Sequence, residues 1–173
     1  LSRRAATWYE RAHRLGVRVQ NRREIVWALL GYGSLLYGLG LYDRARPHFE
    51  RVARFAARTG RRHTAAEAHH DLILLCMDMG NLAQAEEHAR LAESLYPLRA
   101  LRIPYLVHDC AVLLVRERHY APALSMLRRL PLDFPRPEEA ALVWATLAHA
   151  AAGAAQPERY QDAERRTLEL VGL

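Results

Sequence analysis

The sequence predicts an all-α fold in which one antiparallel helix pair is repeated along the chain. Apolar residues make up 51% of the 173 positions and charged ones 25%, a balance that fills a core and argues against disorder. Alanine and leucine dominate while valine, isoleucine and threonine are sparse, so helix propensity exceeds strand propensity along nearly the whole length. The third observation is self-similarity, which sets a period before any single helix is assigned.

The segment GLYDRARPHFERVARFA from Gly40 aligns with GNLAQAEEHARLAESLYP from Gly80, RHYAPALSMLRRLP from Arg118 and ERYQDAERRTLELVGL from Glu158. Ala45, Ala85, Ala123 and Ala163 then stand in register, at intervals of 40, 38 and 40 residues. Ala5 lies forty residues before Ala45, with Tyr9 and Ala12 at the offsets of Phe49 and Val52. The chain therefore reads as a single array over 1–173. Residues 1–22 form the second helix of a truncated repeat and its linker, followed by repeats over 23–62, 63–102, 103–135 and 136–173.

Each repeat divides into two helical runs. First helices are predicted over 23–37, 64–79, 103–116 and 136–152, second helices over 2–18, 43–59, 82–95, 120–130 and 158–171. Gly40, Gly60, Gly80 and Gly153 fall at or just past helix ends, where a left-handed backbone suits a residue without Cβ. Asp43 is placed to cap the helix it precedes, and Pro47 and Pro122 to sit in a first turn, where no intrahelical bond is lost. Pro97, Pro104, Pro131, Pro135 and Pro137 mark linkers. The small residue at the centre of each second helix lets it approach the first closely, and Gly33 does the same from the facing side; overpacking such a contact costs about 1–3 kcal/mol.

Leu29, Tyr32, Gly33, Leu36, Gly40, Tyr42, Ala45, Phe49 and Val52 together resemble the pattern of the tetratricopeptide repeat (TPR) family. Leu72, Cys76, Gly80, Leu82, Ala85, Ala89, Ala92 and Pro97 repeat it, as do Val107, Cys110, Ala111, Leu114, Tyr120, Ala123, Leu127 and Leu130. The fourth copy departs from it, since AHAAAGAAQPERYQDA lacks the paired glycine positions. The resemblance implies a right-handed superhelix, an α-solenoid whose first helices line a concave groove, and a non-catalytic protein-interaction module. The period is longer than the family's usual one and is similar to extended repeats of bacterial transcription regulators and signalling ATPases. That similarity gives an alternative role, a sensor or oligomerisation region of a bacterial regulator whose effector domain lies outside this chain, and the start at Leu1 within a repeat agrees with a piece of a longer protein.

Catalysis finds no support: no nucleophile with a base, no paired carboxylates and no phosphate-cradling loop has workable spacing. GYGSLLYG, residues 31–38, has glycines at helix-packing positions. The histidines and aspartate of EAHHD, residues 67–71, are sequential and diverge on a helix, so no metal and no cofactor is expected. Cys76 and Cys110 fall on core positions without CxxC spacing and read as buried thiols of a reducing cytoplasm. Charged residues interrupt every apolar run, so no membrane span is predicted.

Trp27, Leu30, Ser34 and Tyr37 are predicted to line the groove in one repeat, Glu67, His70, Leu74 and Met77 in the next, then Tyr105, His108, Val112 and Arg116. Such a surface suits a peptide with apolar side chains, with histidines and Arg116 available to polar groups. The family's carboxylate-clamp positions hold Leu30, Ser34, His70, Leu74, His108 and Val112, so that clamp is absent. A homo-oligomer is a further expectation, because no polar helix caps the last segment. All 25 basic residues are arginine; residues 1–62 carry net +10 and 63–173 net −4. Arg44, Arg51, Arg54, Arg58, Arg61 and Arg62 read as an outward face toward solvent or an acidic protein rather than nucleic acid, since no stacking aromatics interleave with them.

Overall fold

The structure is a computed structural model that describes residues 2–18, 21–96, 103–130 and 136–172. The described residues form α1 (Ser2–Arg18), α2 (Arg22–Gly38), α3 (Tyr42–Arg58), α4 (Arg62–Asp78), α5 (Leu82–Leu95), α6 (Ile103–Arg116), α7 (Tyr120–Leu127), α8 (Pro137–Gly153) and α9 (Pro157–Val171), with no strand among them. No helix is long and apolar enough to cross a membrane. The chain groups into two compact units, Leu1–Pro97 with α1–α5 and Leu98–Leu173 with α6–α9. Within each unit consecutive helices pack on one another, and first helices of successive repeats also meet, α2 with α4 and α6 with α8.

Five turns join these helices by one hydrogen-bond scheme. The N–H groups of Leu41, Arg61, Asn81, His119 and Gln156 each reach back five residues to the carbonyls of Leu36, Ala56, Cys76, Leu114 and Ala151. The preceding residue is left-handed every time: Gly40, Gly60 and Gly80 at φ of 71°, 66° and 76°, Arg118 at 61° and Ala155 at 53°. This is the Schellman termination, which satisfies carbonyls that the helix end would leave open. Gly153 was expected in that role; it closes α8 instead, and Ala155 takes the left-handed position.

Other local signals also act differently from their prediction. Leu41 is the N-cap of α3 and no side chain caps it, so Asp43 lies inside the first turn, where its carboxylate faces the positive end of the helix dipole. Pro47 is inside α3, beyond the first turn, and removes the bond that would reach the Asp43 carbonyl. Pro104 and Pro137 open α6 and α8 rather than lying in linkers, positions where a missing N–H costs nothing. Helix α7 ends at Leu127 instead of residue 130: the N–H groups of Arg129 and Leu130 bond to the carbonyls three residues back, Met126 and Leu127, in place of the α-helical pattern. The predicted linker prolines Pro97, Pro131 and Pro135 lie outside the described residues.

The in-register alanines do what their size requires. Ala45, Ala85, Ala123 and Ala163 are each 0% exposed. Gly31 and Gly33, two residues apart on α2, receive one aromatic ring from each flanking second helix: a Cβ on Gly31 would collide with Tyr9 of α1, and one on Gly33 would come within 2.7 Å of Phe49 of α3. Tyr9 and Phe49 are themselves in register, so GYGSLLYG is a packing motif that seats two copies of the same aromatic. Gly153 similarly seats Tyr120 of α7.

Candidate functional site

The predicted groove residues divide between the two units. In the first, Trp27 is 58% exposed on α2, Ser34 is exposed and donates its hydroxyl to the Leu30 carbonyl at 3.0 Å, and Leu30 and Leu74 are half-buried. Tyr37 donates to Asp78 Oδ2 at 2.6 Å and so ties α2 to α4. Glu67 is half-buried, 3.6 Å from His63 Nε2 one turn away.

His70 and Met77 are not groove residues. Both are buried, because each looks into the packing of α4 rather than out from it. Tyr96, just past α5, lies edge-on to His70 at 6.4 Å and to His63 at 5.6 Å, and these two are seven residues apart on one face of α4. The ring thereby covers the site where an exposed imidazole was expected. Cys76 and Cys110 are buried as predicted, and burial pushes the Cys76 thiol above its ordinary value, away from the reactive thiolate.

The second unit gathers its residues into a cleft. Tyr105, His108 and Asp109 of α6 face Glu138, Glu139, Leu142 and Val143 of α8, with Arg136 at the entrance, around a volume of roughly 370 Å³. Tyr105 donates to Glu139 Oε2 at 2.8 Å, and this bond to a carboxylate raises the phenol above its ordinary range. Arg136 forms an ion pair with the same Glu139, leaving one carboxylate shared between a phenol and a guanidinium. His108 is held on both sides, Nδ1 at 3.1 Å from Asp109 Oδ1 and Nε2 at 3.0 Å from Thr146 Oγ1 on α8. Leu142, 62% exposed, supplies the apolar wall. Val112 is half-buried and Arg116 exposed further along α6.

Half of this cleft, the α8 side, was missed in the sequence. The fourth copy lacks the glycine pattern, so no groove positions were assigned there; the 40-residue interval between the third and fourth copies carries His108 to Ala148, two residues past Thr146, its actual partner. A second omission is His69 on α4 with His88 on α5, whose Nδ1 atoms lie 3.2 Å apart with rings stacked at 5.2 Å. Antiparallel pairing would have revealed it, since Tyr32 meets His48 across the α2–α3 hairpin at nearly equivalent places. Among the described residues no group of three or more histidine, cysteine, aspartate or glutamate side chains is arranged to hold a metal.

No protein-family model matches the sequence, and no curated protein matches it significantly. Solved structures do. BtubC (BKLC) from P. vanneervenii superposes with a TM-score of 0.83 at 16% identity, over 99% of this chain and 73% of that one. The nearly identical TPR-like repeats of a Podosopora anserina kinesin light chain candidate superpose with a TM-score of 0.69 at 13% identity, over 99% of this chain and 85% of that one. With four alanines in register, five turns of one geometry and these two likenesses, the chain has the all-α fold of TPR-like repeat proteins.

Proposed function

We propose that the chain is a non-catalytic interaction scaffold that holds a segment of a protein partner against the exposed faces of its first helices, anchored in the cleft between α6 and α8. The observation that carries this reading is the composition of that cleft: exposed Leu142 beside Tyr105, His108, Arg136 and Glu138. An apolar wall next to a few fixed polar groups is the usual make-up of a recognition site, and aromatic and arginine side chains are the residues that dominate binding energy. The polar groups are already oriented by one another, Glu139 by Tyr105 and Arg136, His108 by Asp109 and Thr146, so a ligand has little ordering left to impose. In the first unit Trp27, Leu30, Ser34, Tyr37 and Leu74 offer a second, more apolar stretch of the same kind.

The test is affinity capture with the wild-type chain and with the triple variant Tyr105→Ala, Arg136→Ala, Leu142→Ala. Each truncation at an interface centre costs about 1–2 kcal/mol of binding, so the captured partner disappears from the variant while its melting temperature stays near that of the wild type. Equal recovery by both proteins overturns the reading.

A further inference from the structure

The outer helices α1 and α3 carry one charge pattern twice. Residues 4–18 read RAATWYERAHRLGVR and residues 44–58 read RARPHFERVARFAAR, so Arg4, Glu10, Arg11, Arg14 and Arg18 recur as Arg44, Glu50, Arg51, Arg54 and Arg58. All eight arginines are exposed. Spacings of three, four and seven residues put each set of four on one side of its helix. The stripe then stops: α5 has Gln84, Leu91 and Ser94 at the positions of Arg44, Arg51 and Arg54, and α9 has Asp162 and Glu169 at those of Arg44 and Arg51. A preference for arginine over lysine in the gene explains the residue type but not this placement.

Little within the chain neutralises the stripe. Arg54 pairs with Glu50 at 3.4 Å with both side chains exposed, and Arg11 lies 5.8 Å over the Trp8 ring. Among the described residues no ion pair takes up Arg4, Arg14, Arg18, Arg44, Arg51 or Arg58. The surroundings select the kind of anion. Glu10 and Glu50 put a carboxylate into each stripe, which repels a continuous phosphate backbone but matches a patterned polypeptide. Trp8 and Leu15, 68% and 58% exposed, adjoin the arginines on α1 and offer contact to apolar side chains. Arginines seven residues apart are about 10.5 Å apart along the helix, the spacing of carboxylates two turns apart on a partner helix. The planar guanidinium also grips a carboxylate through two bonds at once.

We propose that α1 and α3 form a docking surface for an acidic segment of a protein partner, its carboxylates pairing with the two arginine stripes. This surface is separate from the first-helix cleft, and either site can fail without the other.

The test is fluorescence anisotropy of the full chain at low salt with three labelled probes: a helical peptide with glutamates spaced three, four and seven apart and leucines beside them, the same peptide with lysine for glutamate, and an oligothymidylate of matched charge. The glutamate peptide binds, loses affinity with added salt, and binds R44E/R51E/R58E at least about tenfold more weakly, as the loss of several exposed pairs requires. R4E/R11E/R18E weakens it similarly, and the lysine peptide regains affinity for either reversed variant, which an unfolded variant does not give. Tighter binding of oligothymidylate than of the glutamate peptide overturns the proposal, as does unchanged affinity in both variants or no binding at all.

Discussion

The hairpins of the first unit and those of the second reach one geometry from different residues. Gly40, Gly60 and Gly80 occupy the left-handed position in one unit, Arg118 and Ala155 in the other, yet the reaching-back hydrogen bonds are the same. The helix contacts show the same freedom. Gly33 and Phe49 of the α2–α3 hairpin correspond by register to Ile73 and Ala89, then to Ala111 and Leu127, then to Ala151 and Thr167. A very small residue faces a large one in the first hairpin, the sizes are reversed in the second, and they reverse back in the third. Across these three hairpins the combined size of the pair is kept, as close packing demands, while the identity of either residue is not; the fourth pair is smaller.

Exchanging one pair for another is the strongest way to break that rule. Phe49 is 1% exposed and its ring already lies against Gly33, so Gly33→Ile alone forces the helices apart. Phe49→Ala alone leaves a cavity and costs about 3–5 kcal/mol. The double variant installs the Ile73/Ala89 pair of the next hairpin and is expected to recover about 1–3 kcal/mol relative to the sum of the single changes. Urea denaturation of the four proteins measures this; additive losses would mean that the two positions do not share one volume.

The repeat was legible in the sequence because packing ties residue size to position. Ala45 and its copies are small where another helix must lie, and that constraint recurs every 38 to 40 residues whatever the surface carries. The site was less legible, since exposure depends on what crosses a helix from elsewhere. His70 and His108 are in register, but Tyr96 covers the first while Thr146 of α8 meets the second. Pro47 shows the opposite failure, a strong local signal overridden by the packing of α3 on α2 and α4.

The turns give a smaller effect with a definite sign. A Cβ at Gly40, Gly60 or Gly80 meets nothing within 4 Å, so any cost of adding one is purely conformational. Gly40→Ala is expected to lose about 1 kcal/mol, and Arg118→Gly or Ala155→Gly to gain about 0.5–1 kcal/mol, because only glycine adopts this backbone without penalty. Thermal melts settle it: no gain in either second-unit variant would mean that neighbouring contacts already relieve the strain at Arg118 and Ala155.

The smallest expected effect tests a difference that only acid reveals. His69 and His88 correspond to Val107 and Met126 in the second unit, two apolar residues packed at the edge of its core. Desolvation lowers both imidazoles below their ordinary value of 6.5; the facing ring adds to this for His69 and Arg46 for His88, while Glu87 opposes it at both and Glu50 at His88. The unfolded chain therefore takes up protons first on acidification, so stability contributed by the neutral pair is complete above pH 6.5 and is lost as the pH falls through the lowered folded values. H69V/H88M imports the second unit's pair and is expected to lessen the drop in melting temperature between about pH 7.5 and about pH 5.5, the range in which histidine titrates. An equal drop in the double variant would place the acid sensitivity elsewhere; a smaller one would make this pair a source of the chain's acid sensitivity.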